Sequence, residues 1–123
     1  MIGYTTLGVT DLERARAFYD AVLAPLGGSR KLNYERSTYY GTPARGAMLG
    51  ITLPFDRQDQ SVGNGVMVAL EAVSREAVDQ THAAALAAGA VCEGPPGQRM
   101  PKFYGAYFRD LDGNKLCAFY TGA

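Results

Sequence analysis

Apolar and polar residues alternate from Gly3 to Val9, with Leu7 and Val9 on one side and Tyr4, Thr6 and Gly8 on the other. A period of two marks a half-buried strand. The period then lengthens: Leu12, Ala15, Tyr19, Val22 and Leu26 follow at helical spacing, with Glu13, Arg14, Arg16 and Asp20 between them as a wet face. Thr10-Asp11-Leu12-Glu13 has the form of a capping box, in which the threonine oxygen and the glutamate satisfy orphan amides reciprocally. Gly27-Gly28 supplies the stop, because glycine tolerates the left-handed cap.

The same grammar returns roughly sixty residues later, as a two-module chain requires. Val66, Val68 and Leu70 alternate with Met67, Ala69 and Glu71, Ser74 is a good N-cap, and Arg75 to Ala88 is alanine-rich and helical, closed by Gly89. Short β-like runs follow each helix: 29–34, 37–40 and 47–53 in the first half, 90–93, 104–109 and 115–120 in the second. Asp112-Gly113 between the last two is a hairpin turn. Pro54 to Asn64 is polar and turn-rich and reads as the connection between halves. The order strand, helix, three strands, twice over, predicts an α+β domain. One domain spans 1–123, with module 1 at about 1–57 and module 2 at about 62–123.

Composition narrows the partners. A 47% apolar and 20% charged chain of 123 residues has enough material for one core. Twelve basic residues balance twelve acidic ones, which leaves no electrostatic footprint for nucleic acid or an anionic membrane. A small molecule of little or mixed charge is the easier partner. Cys92 and Cys117 stand apart rather than in a CxxC pair, so reduced thiols are expected. No basic-then-apolar leader and no membrane-length apolar run occurs, and the expected location is the cytoplasm.

Three stretches together carry a family resemblance: Leu7-Gly8-Val9-Thr10-Asp11-Leu12-Glu13-Arg14 running into Phe18-Tyr19, Ser74-Arg75-Glu76-Ala77-Val78 through Ala83-Ala84-Ala85-Leu86, and Arg109-Asp110-Leu111-Asp112-Gly113-Asn114. With the repeat, they resemble the vicinal oxygen chelate superfamily of glyoxalases, bleomycin-resistance proteins and extradiol dioxygenases, in its small glyoxalase-like branch. The resemblance implies two βαβββ modules forming a half-open, barrel-like mixed sheet with helices outside and a concave cleft within. It also implies a homodimer. The superfamily's enzymes hold a divalent ion in that cleft through His and Glu, as a Lewis acid for substrate oxygens, whereas the drug-resistance members use a similar cleft to sequester a ligand.

By that resemblance the metal-ligand positions fall on Tyr4, Met67 and Cys117, with a fourth near Gly50 or Thr52. None is His, Asp or Glu, and an ion held for Lewis-acid work needs imidazole and carboxylate donors. No metal and no cofactor is therefore expected. The one histidine, His82, lies on the second helix and reads as covering the sheet's outer side, with no orienting partner visible in the sequence. Cys117 reads as a small buried hydrophobe rather than a nucleophile, and Cys92 carries less signal still.

Eight tyrosines and five phenylalanines without tryptophan are a tyrosine-rich balance; core is the default for each, and those facing inward would wall a pocket with aromatic rings. Tyr39, Tyr40, Tyr104, Tyr107 and Phe119 lie on expected strands, and alternation sends about half of such residues to the helix side. The candidate ligand-binding set is Tyr4, Thr52, Met67, Cys117, Phe119 and Tyr107; no catalytic residue is assigned. Arg45, Arg99 and Lys102 read as solvated loop residues, with a place at the cleft mouth against an anion as the alternative, and Gly94-Pro95-Pro96-Gly97 as a plain connector, with a lid as the alternative. The expected function is binding of a small aromatic or apolar ligand in a metal-free cleft. Two alternatives stand beside it: a metal-dependent enzyme, lactoylglutathione lyase-like or extradiol dioxygenase-like, and a non-catalytic assembly protein.

Overall fold

Each alternating stretch forms a strand and each helical period a helix in the computed structural model, which describes residues 1–122. The first module runs β1 (Tyr4–Gly8), α1 (Leu12–Leu23), β2 (Ser29–Asn33), β3 (Ser37–Gly41) and β4 (Met48–Thr52). The second repeats it as β5 (Val68–Glu71), α2 (Arg75–Ala87), β6 (Val91–Met100), β7 (Phe103–Arg109) and β8 (Lys115–Tyr120). In each module the first strand pairs in parallel with the last, and the rest is antiparallel. The result is two four-stranded mixed sheets, ordered β1-β4-β3-β2 and β5-β8-β7-β6, which are not closed into a barrel.

Sheet parity follows the sequence pattern. Leu7, Val9, Leu49 and Ile51 turn toward the helices and are buried, as are Phe108, Leu116 and Ala118 in the second sheet. The main core crosses both modules: Val9, Phe18, Val22 and Ile51 pack with Ala85, Phe108 and Leu116, and α1 lies on α2. A smaller cluster of Ala72, Ala77, Val78, Ala106 and Ala118 sits beneath α2. Among the described residues no helix is long and apolar enough to cross a membrane.

Local chemistry modifies several expectations. Asp11, not Thr10, caps α1, its carboxylate accepting from Arg14 N at 3.1 Å. Thr10 is drawn instead to the second module, where its amide and hydroxyl donate to Asp112 Oδ1 at 3.1 and 2.6 Å. The α-helix ends at Leu23, short of Leu26, because Pro25 has no N–H to continue the ladder; a 3-10 turn at Ala24–Leu26 follows, capped by Gly27 at φ +78°. Ser74 caps α2 as expected, accepting from Ala77 N at 3.1 Å.

Arg16 is not on a wet face. It is buried, and its guanidinium donates to Thr38 Oγ1 at 2.7 Å, to the Tyr34 carbonyl at 2.6 Å and to Glu13. Three acceptors compensate the desolvation that a lone cation could not bear.

Gly94-Pro95-Pro96-Gly97 is not a loop or lid, and Arg99 is not a loop residue. All lie within β6, at the edge of its sheet, with three register shifts that absorb the irregular residues. Two prolines without N–H groups are tolerable there because an edge strand has only one ladder to satisfy.

Candidate functional site

The face of each sheet turned away from the helices carries the expected site residues. On the first sheet the register sets Tyr4 beside Met48, Thr6 beside Gly50 and Gly8 beside Thr52. Tyr4 is 59% exposed and meets Tyr39 edge-to-face at 5.2 Å, and Tyr39 meets Tyr34 in the same way at 6.2 Å. The Tyr39 ring lies against Gly50, where an added Cβ would come within 2.6 Å of Cε2. Glycine is thus the residue that lets the ring settle. The Thr52 hydroxyl is already engaged, donating to the Leu53 carbonyl at 2.8 Å.

On the second sheet Cys117 stands opposite Tyr107, and Phe119 opposite Gly105. Cys117 is fully buried, and burial pushes its thiol up, opposed only in part by the Tyr107 hydroxyl and by Arg99 and Lys115. It is a neutral thiol near pH 7, as expected of an apolar filler. Burial also raises the Tyr107 phenol. Arg99 and Lys115 both approach the Tyr107 ring, at 5.5 and 5.7 Å from its centroid, which gives this face two cations around one aromatic. Phe119 stacks on Phe103 with centroids 5.4 Å apart and rings 4° from parallel.

The six expected residues therefore form two groups: Tyr4 and Thr52 on one sheet, Tyr107, Cys117 and Phe119 on the other. Met67 stands one residue before β5, with the parity of Ala69, which is opposite Cys117; it is 44% exposed and lines a groove of about 1110 Å³ between the modules with Ile2, Thr5, Leu49 and Leu70. Leu23, Leu26 and Tyr40 line the same groove on the helix side of the first sheet. Phe103 and Lys115 were not legible as site residues. Tyr107 parity with Lys115 was available in the sequence, but the stacking of Phe103 depends on the tight turn at Pro101-Lys102, where Lys102 takes φ +61°. Of the other strand tyrosines, Tyr40 and Tyr104 face the helices and donate to Asp20 at 2.8 Å and Asp79 at 2.6 Å.

The Asp110–Asn114 turn proves structural. The Asp110 carboxylate accepts from the Tyr19 hydroxyl at 2.6 Å, the amides of Asp112 and Asn114 at 2.9 Å each, and Asn114 Nδ2 at 2.9 Å. Asn114 Nδ2 also donates to the Gly8 carbonyl at 2.8 Å. The turn thus ties the second module to β1 and α1 of the first. The Tyr19 phenol is held well above its ordinary value by burial and by the Asp110 charge.

The sequence profile of the Glyoxalase/Bleomycin resistance protein/Dioxygenase superfamily matches residues 1–118. The chain belongs to this superfamily. A glyoxalase/bleomycin resistance protein from Albidiferax ferrireducens T118 is 42% identical, with a TM-score of 0.87 over 97% of each chain. Two more distant structures share the fold: a glyoxalase-related enzyme from Fulvimarina pelagi, at 20% identity and TM-score 0.77 over 97% of this chain and 86% of that one, and lactoylglutathione lyase from Agrobacterium tumefaciens, at 24% and 0.69 over 97% and 92%. No curated protein matches the chain at a significant level.

The donor set of this superfamily member does not fit a Lewis-acid ion. The positions that the resemblance assigns to ligands hold the phenol of Tyr4, the thioether of Met67, the thiol of Cys117 and, near the fourth, Gly50 or Thr52. Among the described residues no three His, Cys, Asp or Glu side chains converge. Of the carboxylates nearby, Glu93 accepts from Arg109 Nε at 2.6 Å and is held below its usual range by that hydrogen bond. Glu71 is opposite Phe119 in register.

Proposed function

We propose that this protein binds a small planar aromatic or apolar molecule in a cleft that works without a metal. The observation that carries the reading is the replacement of ligand chemistry by aromatic walls: Tyr4 and Tyr39 over Gly50 on one sheet, and Tyr107 and Phe119 around Cys117 on the other. Rings set edge-on and flat offer stacking surfaces, with hydroxyls at the rim for orientation. Arg99 and Lys115 leave room for a ligand with an electron-rich or acidic edge.

We further propose that the cleft is completed by a second copy of the chain. β1 and β5 are edge strands, and Ile2, Tyr4, Val66 and Met67 beside them are exposed. Pairing these edges between copies would cover apolar surface and bring the two inner faces together. The unpaired cysteines suit a reducing compartment, and we place the protein in the cytoplasm.

Calorimetric titration with 1-naphthol and related bicyclic aromatics tests the reading. Saturable binding is expected, weakened about fivefold or more by Tyr107→Ala or Tyr4→Ala as a stacking contact is lost. Phe55→Ser, at a fully exposed linker position, leaves it unchanged. Absence of saturable binding to any of these compounds contradicts it.

A further inference from the structure

The helix side of the second sheet holds a pair of reactive groups that the cleft does not use. His82 on α2 and Cys92 on β6 touch, Nε2 to Sγ, at 3.2 Å. The thiol is exposed, whereas the imidazole is 6% exposed and packs edge-on against Phe108 at 6.4 Å between centroids. Among the described residues the sulfur is the hydrogen-bond partner of the imidazole, so a buried polar ring is aimed at the thiol of an exposed cysteine.

We propose that Cys92 and His82 form a thiol-exchange site on the outer face, at which small-molecule disulfides modify Cys92. The geometry supplies each part of that reaction. With its hydrogen on Nδ1, the imidazole accepts at Nε2 from the thiol. Burial lowers the His82 pKa, only partly offset by Asp79, which keeps the ring in the neutral form that a base requires. The thiol proton passes to Nε2 as the sulfur attacks one sulfur of the disulfide. The old S–S bond breaks, a mixed disulfide forms on Cys92, and the departing thiolate takes the proton back from the imidazolium. One protein thiol and one disulfide become one mixed disulfide and one small thiol.

Two further features fit. β6 is an edge strand, so a molecule reaching Cys92 meets no neighbouring strand on its open side. Cys117 lies on the other face of the same sheet, buried and with its thiol pushed up, and serves as an internal unreactive reference.

The test incubates the folded protein with glutathione disulfide and follows intact mass and peptide mapping with time. One glutathionyl adduct per chain at Cys92 is expected, absent in Cys92→Ser and unchanged in Phe55→Ser, at an exposed position remote in sequence from both groups. His82→Gln is expected to slow the reaction about a hundredfold, the lower end of what a positioned base contributes. Should that variant fail to fold, the native rate at Cys92 is compared with the rate of the same thiol in urea. A base-assisted thiol reacts faster when folded. A folded His82→Gln protein with an unchanged rate, a native rate no greater than the unfolded one, or modification at Cys117 first overturns the proposal.

Discussion

Asp110 and Tyr19 belong to stretches that carried the family resemblance, and at the scale of single residues they hold the fold together rather than perform chemistry. Their hydrogen bond is buried and joins the modules, so Tyr19→Phe is expected to cost about 2 kcal/mol and Asp110→Ala about 3 kcal/mol or more, measured by urea denaturation. Asp20 makes a different prediction. Hydrogen bonds from Arg30, at 3.0 and 2.8 Å, and from Tyr40 hold its carboxyl below the usual range. A lowered native value means the group stabilises the fold above the unfolded carboxyl pKa, near 4, and that this contribution disappears as pH falls through the native value. Asp20→Asn should therefore destabilise at pH 7 and converge with the wild type below about pH 4. Both side chains are more than one-third exposed, at 37% and 45%, so screening keeps the gap to about 1 kcal/mol or less and salt shrinks it further. None of these partners was visible in the sequence, because they lie far apart along it.

The elements themselves were largely legible. Period two and period 3.6 depend on neighbours along the chain, and β1, α1, β5 and α2 fall where those periods place them. Their ends were less so. The close of α1 turned on Pro25, and its cap on competition between Thr10 as a local oxygen and Asp112 as a distant acceptor. The length of β6 was hidden because glycine and proline read as punctuation, while an edge strand beside β7 tolerates them. The turn between β7 and β8 was read correctly, and Gly113 takes φ +89° there. Gly113→Ala should thus cost about 1 kcal/mol, seen as a lower urea midpoint with an unchanged m-value.

For the whole molecule, repeat and family were legible because both halves write the same pattern, and the superfamily profile covers residues 1–118. The candidate site was legible only by parity. Sequence spacing set Tyr107, Cys117 and Phe119 on one face and Tyr4 and Thr52 on another, but it carried no information on how the two faces meet, nor on the Arg99 and Lys115 approach to Tyr107. It likewise separated His82 from Cys92 by a strand boundary, though they touch. If two copies complete the cleft, light scattering should give a dimer mass, and Ile2→Asp with Met67→Asp should return a monomer that still melts cooperatively.

The central proposal is a cleft with aromatic walls that binds its ligand without a metal. Its most direct test is the metal content of the untagged protein, by plasma mass spectrometry, after incubation with Ni²⁺, Zn²⁺, Fe²⁺ and Mn²⁺ in turn and exhaustive dialysis. Far less than one equivalent of any ion per chain is predicted. One equivalent that survives dialysis, and that is lost in Glu71→Gln, would contradict the account and put a metal-dependent lyase or dioxygenase in its place.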